Sequence, residues 1–413
     1  MSDRVILHCD CNGFYASCEQ LRHPELRRVP MAVCGDLESR HGIILAKNEL
    51  AKGYGIQTAE TIRDALRKCP QLTLVRPHHK DYAHWSRIVN GIYQRYTEQV
   101  EPFGIDESWL DVTASQTLFG DGQAIADRLR REVREETGLT ISVGVSFNKI
   151  FAKLGSDHKK PDATTVIGRE DMTWLVWPKP VDALLFVGGA SRLTLASLGI
   201  HTIGQLALAP RETLSRRLGK LGEQIWDYAN GLDESPVASI YEKHTVRSVG
   251  NGMTFRRDLL GESDARKGLQ ALSEEVAERL RRSGLKCRTV QLTIKDPALR
   301  VITRQKRLER PTHLASVLTE TSLALLRDNW DLNKPIRMLT VTGQNLVSPE
   351  EENEQLMLFD EAGRARRQRR EQLEQTVNAI RQKYGRGAIH SAGLMDNDLG
   401  IALKDADEEE EEP

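Results

Sequence analysis

Paired cysteines are missing from this sequence. Cys9, Cys11, Cys18, Cys34, Cys69 and Cys287 form no CxxC pair and have no histidines at zinc-ligand spacing. That pattern speaks against a zinc site and a secreted disulfide framework, and for reduced thiols in the cytoplasm. Long apolar runs are missing too: Met1-Ser-Asp-Arg4 leads into Val5-Ile-Leu7 and stops, which is not a signal peptide. No stretch approaches the roughly 20 apolar residues of a membrane span, so a membrane role is not expected. Net charge is the third absence, since 58 basic and 59 acidic side chains leave −1 over 413 residues. That total alone points to no nucleic-acid partner.

The length admits several domains, and charge divides them. Residues 1–239 carry −1, residues 240–349 carry +8 and residues 350–413 carry −8. A basic module is thus cancelled by an acidic tail.

The run Arg4 to Asp10 reads as a strand ending in a carboxylate before the turn signal Asn12-Gly13. Residues 13–79 are short, glycine-punctuated elements. Apolar residues at helical spacing predict a helix over 81–99, then strands over 100–105 and 109–112 with Asp106-Glu107 between them. A helix over 122–137 and a strand over 140–145 complete a ferredoxin-like order, with 13–79 inserted. In that order the first and third strands are neighbours, so Asp10 and Asp106 can meet. From about 170 short helices with glycine links follow, around Gly188-Gly189 and Gly219 to Gly222. Such hairpins let backbone N–H groups approach phosphates. The +8 segment reads as β(244–255) α(264–283) β(287–296) β(299–308) α(312–328) β(336–346), with one sheet face open. That is either a duplex-backbone binder or a soluble domain with scattered charge. The tail sets the apolar island Leu356 to Phe359 between acidic flanks, which read as a disordered segment carrying a binding peptide, and then a charged helix with five arginines over Arg364 to Arg370.

Asp10, Asp106 and Glu107, with no Cys/His ligand set nearby, suit an oxygen-preferring cation such as Mg²⁺. Two such ions support in-line nucleotidyl transfer. A pair of acidic residues also commonly caps a hairpin turn, and pattern alone leaves both readings open.

Three longer runs carry a more specific signal: Asp10-Cys-Asn-Gly-Phe-Tyr-Ala-Ser-Cys-Glu19, Gly104-Ile-Asp-Glu-Ser-Trp-Leu-Asp111 and Val143-Gly-Val-Ser-Phe-Asn-Lys-Ile-Phe-Ala-Lys153. In order and spacing they closely resemble the palm motifs of Y-family DNA polymerases, nearest to the DinB type, and the similarity runs from residue 4 to about 346. The resemblance implies an α+β right-hand polymerase. It would comprise a ferredoxin-like palm (1–12 and 80–168), small fingers (13–79), a small thumb (169–239) and a βαββαβ little finger (240–349) that grips DNA. A flexible tail (350–413) would follow.

It also implies roles. Asp10, Asp106, Glu107 and the Cys11 carbonyl would hold two Mg²⁺ ions. Tyr15, beside Phe14, would be a steric gate against the ribose 2′-hydroxyl, and Lys160 would meet the triphosphate of the incoming dNTP. Two departures from the pattern stand out. Glu49 and Lys52 occupy positions where many relatives have a tyrosine and an arginine, leaving Lys52, with Lys47 nearby, as the cation on that side. Gly13 replaces bulkier residues, which is expected to loosen packing beside Phe14. Gln355-Leu-Met-Leu-Phe359 resembles the peptide with which bacterial polymerases bind the sliding clamp, through Gln355, Leu356, Leu358 and Phe359. The expected protein is a monomeric, cytoplasmic translesion polymerase acting on primer-template DNA, error-prone and without proofreading. Two rivals are a nucleotidyl cyclase, in which the basic module and peptide would have no purpose, and a catalytically inactive clamp-recruited relative.

Overall fold

The computed structural model describes residues 3–35, 42–242, 245–348, 361–395 and 397–401, which divide into units 1–243 and 244–413. The first unit begins with β1 (Ile6–Cys11), whose apolar side chains are buried, followed by α1 (Phe14–Arg22). Gly13 starts that helix at φ +53, and a Cβ there would lie 3.3 Å from the Lys47 carbonyl. Glycine is therefore required by backbone shape. The expected loosening does not occur, because Phe14 is 2% exposed within the core.

A small three-stranded sheet follows: β2 (Met31–Cys34), β3 (Ile44–Lys47) and, after α2 (Glu49–Gly53) and α3 (Ile62–Lys68), β4 (Thr73–Val75). Asn48 and Thr61 cap the two helices through their side-chain oxygens. α4 (His79–Tyr93) is shorter than the predicted 81–99 helix, because residues 94–96 close it in a turn.

β5 (Val100–Pro102) and β6 (Glu107–Asp111) form the hairpin. The N–H groups of Phe103 and Gly104 both donate to the Glu107 carbonyl, so Asp106 lies in the turn and Glu107 opens the strand. The sequence pattern had placed both in the turn.

After α5 (Gln116–Phe119), α6 (Gly122–Thr137) is capped by Asp121 and lays Ile125, Ala126, Leu129 and Val133 on the sheet. β7 (Ile141–Ser146), α7 (Lys149–His158) and β8 (Thr164–Ile167) add a parallel strand that periodicity did not indicate. The sheet order is β5-β6-β1-β7-β8, with β1 antiparallel to both β6 and β7. Its first four strands are the ferredoxin-like arrangement expected. Leu7, Cys9 and Cys11 face α4 and α6, while His8 and Asp10 alternate to the other face, under α7.

Residues 169–229, with α8 (Gly189–Ser197), α9 (Ile203–Leu208), α10 (Arg211–Leu218) and α11 (Lys220–Ala229), share an apolar cluster with Phe147, Ile150, Phe151 and Leu154 at α7. A Cβ on Gly222 would sit 2.2 Å from the Leu214 carbonyl, so only glycine permits this α10–α11 approach.

The second unit is a four-stranded sheet of β9 (Ser248–Leu259), β10 (Lys286–Lys295), β11 (Val301–Thr312) and β12 (Ile336–Val347), in the order β11-β10-β12-β9. α12 (Gly261–Arg282) and α13 (Ala315–Asn329) cover the face presented by Val290, Leu292 and Ile294. This is the expected βαββαβ order.

The charged helix expected within the tail is present, and the tail is not loose over 361–401. Helix α14 (Glu361–Tyr384) joins the second unit through Glu374, which pairs with Arg281 and accepts from the Ala315 N–H, and through the Arg381–Glu274 pair. Leu394, Leu399 and Ile401 enter that unit's core, and the Arg256 N–H donates to the Leu399 carbonyl. Each buried aliphatic side chain is worth about 1.5–3 kcal/mol, enough to offset ordering a short segment. Residues 355–359 lie outside the described residues.

Candidate active site

β1 and β6 pair so that Asp10 stands opposite Glu107. The Cys11 N–H donates to the Asp106 carbonyl at 2.9 Å, tying the hairpin turn to the end of β1. Three carboxylates thus gather at one sheet end although 96 residues separate Asp10 from Asp106. Ligand atoms of His8, Asp10 and Glu107 lie within 4.8 Å of one another.

The electrostatics differ among the three. Burial, reinforced by the charges of Asp10 and Glu107, pushes Asp106 up to about 6. Burial also raises Asp10, although Lys160 opposes it from 2.9 Å. Burial would likewise raise Glu107, but His8 and Lys153 outweigh it and hold its carboxyl at about 2. Lys160 bridges Asp10 and Asp157, and this pairing keeps its ammonium raised against the effect of burial.

The donor set fits an oxygen-preferring divalent cation. Like charges are crowded and only partly neutralised by lysine, and a cation would remove the cost that raises Asp106. There are no thiolate ligands to favour a softer metal, since Cys11 and Cys9 turn into the opposite core.

Tyr15 stacks on Tyr82 with ring centroids 4.2 Å apart and an interplanar angle of 14°. The Tyr82 hydroxyl donates to the buried Glu19 carboxylate, which also meets His78, so the platform under Tyr15 is fixed. Phe14 points into the core beneath it. Lys52, on α2, is exposed and pairs with Glu49 at 3.2 Å, while Lys47 donates to Thr58.

Several residues had no role assigned from sequence. Asn12 holds Ser142 and the Asp162 N–H, and Arg130 and Arg134 both pair with Asp162. Together they pin the loop that carries Lys160. Helix α7 supplies Lys149 to Glu101, Lys153 to Glu107, Ser156 to His8 and Asp157 to Lys160. Two signals were available: His8 lies two residues before Asp10 on the same strand face, and 149, 153, 156 and 157 share one helical face.

Comparison with known proteins accords with this geometry. The impB/mucB/samB family matches residues 9–157, and that family's C-terminal domain matches residues 246–358. DNA polymerase IV of Acetivibrio thermocellus is 45% identical over 96% of this chain and 99% of its own length. DNA polymerase IV of Moorella thermoacetica is 38% identical over 95% of this chain and 96% of its own, and DNA polymerase IV 1 of Bacillus subtilis is 33% identical over 95% and 93%. A solved Y-family DNA polymerase chimera, Dbh-Dpo4(243-245)-Dbh, superposes with a TM-score of 0.73 at 20% identity, covering 83% of this chain and 99% of that one. The fold is that of the Y-family polymerases. The chain belongs to the impB/mucB/samB family. Among the described residues no helix is long and apolar enough to cross a membrane.

Proposed function

We infer that the chain is a template-directed DNA polymerase of the translesion type, adding deoxynucleotides to a primer 3′ end and releasing pyrophosphate. The observation that carries this reading is the convergence of Asp10, Asp106 and Glu107 at one sheet end, in a chain akin over nearly its whole length to proteins named DNA polymerase IV. All three carboxylates are present, which disfavours an inactive relative.

Asp10, Asp106, Glu107 and the Cys11 carbonyl are the groups that would hold two Mg²⁺ ions. Such ions, when bound, supply activation of the primer hydroxyl and charge neutralisation of the leaving pyrophosphate. Lys160, beside Asp10, is a flexible point charge suited to triphosphate oxygens, and Lys52 offers a second from α2. Tyr15, held flat on Tyr82, selects deoxyribonucleotides by leaving no room for a 2′-hydroxyl, with Phe14 packed behind it.

We assign 1–12 and 80–168 to the palm, 13–79 to the fingers, 169–239 to the thumb and 240–349 to the little finger. Lys and Arg of the +8 segment give DNA affinity without sequence choice. Small fingers and the lack of any segment resembling a proofreading exonuclease accord with error-prone synthesis. Gln355, Leu356, Leu358 and Phe359 would dock on a sliding clamp, and the enzyme would act as a cytoplasmic monomer.

Primer extension on an undamaged template tests the central reading, with Asp106→Ala as the comparison. Extension by the native chain and none by the variant is expected; equal extension by both would sink the mechanism.

A further inference from the structure

Glu107 is gripped from one side only. Lys153 donates to its Oε2 at 2.5 Å, and His8 Nε2 stands 3.2 Å from the same oxygen. Among the described residues no side chain or backbone N–H donates to Oε1. We propose that His8 and Lys153 are positioning residues that hold Oε2 of Glu107 and thereby reserve Oε1 for the reaction. The proposal rests on the reading of Glu107 as a member of the catalytic carboxylate set.

Both groups are placed for this task by packing. His8 is fully buried on the Asp10 face of β1, edge-on to Trp109, and its Nδ1 lies 2.8 Å from Ser156 Oγ. A bare Nε2 against a carboxylate oxygen would be repulsive. The contact with Glu107 therefore needs a proton on Nε2, while Nδ1 meets the Ser156 hydroxyl, whose own proton goes to the Lys153 carbonyl. Nε2 is buried without an aligned hydrogen bond in this state. Lys153 makes the aligned hydrogen bond to Oε2, and His8 lies against the same oxygen.

Lys153 and Ser156 both belong to α7, three residues apart on one face, and the Ser156 hydroxyl also lies 2.9 Å from the Lys153 carbonyl. The same helix presents Asp157 to Lys160. One rigid element thus orients the inner end of Glu107 and the lysine on Asp10. With Oε2 engaged by an ammonium, Oε1 is the Glu107 oxygen that no described donor occupies, and it is the one best placed to meet a cation or the primer terminus. A carboxylate free to rotate would lose that alignment, and misplacement on the ångström scale can cost up to about 100-fold in rate.

The test compares Lys153→Met, Lys153→Arg, His8→Leu and His8→Gln with Glu107→Gln, in the full chain with primer-template DNA. Three readouts are needed: kcat and KM for dNTP, affinity for duplex, and Mn²⁺ binding by electron paramagnetic resonance to the complex with a dideoxy-terminated primer and dNTP. Lys153→Met is expected to lower kcat about 10-fold to 100-fold, leave KM and duplex affinity within about twofold, and weaken Mn²⁺ binding. Lys153→Arg should recover most of kcat, and His8→Gln, which keeps an N–H, should exceed His8→Leu. If Lys153→Met does not fold, the two His8 variants carry the same readouts. Unchanged kcat and Mn²⁺ binding would overturn the proposal, as would losses in KM and duplex affinity without any change in Mn²⁺ binding. Wild-type activity in Glu107→Gln would instead overturn the reading of Glu107 itself.

Discussion

Asp106 shows how the site stores electrostatic cost for later use. An aspartate in an unfolded chain ionises near pH ~3.9, whereas in this fold it does so at about 6. The folded state binds that proton more tightly, so ionisation works against the fold. The penalty is absent below about pH 4, grows up to about pH 6 and is complete above it. A shift of this size corresponds to at most about 3 kcal/mol, and water at a partly exposed site reduces it to about 1–2 kcal/mol. Asp106→Asn should therefore raise the thermal midpoint of metal-free protein at pH 7.5 but not at pH 4, while abolishing primer extension. Identical midpoints at pH 7.5 would contradict the crowding of charge inferred here. Tyr15 makes a different prediction at the same scale. Its ring is held by stacking on Tyr82, so Tyr15→Ala opens space under the sugar and should increase ribonucleotide incorporation by about 10-fold or more, as for removal of a steric block. Incorporation assays with rNTP and dNTP in parallel check it, and an unchanged ratio would remove the gate assignment.

Among the elements, α7 organises the most chemistry and was the least legible. The third motif run ends within it, yet nothing in its periodicity indicated that β7–α7–β8 would extend the sheet. Packing decided it. A Cβ on Gly144 would lie 1.8 Å from the Ala152 carbonyl and 2.4 Å from the Ser156 nitrogen, so β7 and α7 touch backbone to backbone. Gly144→Ala should push α7 off the sheet, costing about 1–3 kcal/mol or more as overpacking, and carry Lys153, Ser156 and Asp157 away from their partners. Denaturation and extension assays should both show the loss; a variant with native stability would mean that the helix can adjust. By contrast β1, α6 and the strands of the second unit were readable, since alternation and helical spacing follow directly from which face is buried. Boundaries slipped where turns, not periodicity, ended an element, as at residues 94–96 and in the 103–106 hairpin.

Over the whole molecule, a net charge of −1 conceals a basic and an acidic segment that cancel. The basic segment coincides with β9 to β12 and their two helices. The acidic segment proves to be composite: 361–401 is largely built into the second unit, through Glu374, Asp398 and the buried Leu394, Leu399 and Ile401. Deleting 355–359 should abolish stimulation by a sliding clamp and leave clamp-free extension intact, because those residues are outside the catalytic carboxylate set. Persisting stimulation in a primer-extension assay would show that the peptide is misassigned.

Sequence by itself determined the order of elements, the carboxylate set and the charge segregation, because these depend on residue type and on spacing along the chain. Tertiary structure decided what those groups face. His8 is an ordinary strand residue until β6 and α7 enclose it beside Glu107, and Leu399 is a tail residue until β9 binds it. The physical reason is common to both: burial and opposing charges come from residues distant in the chain, and no local pattern encodes them.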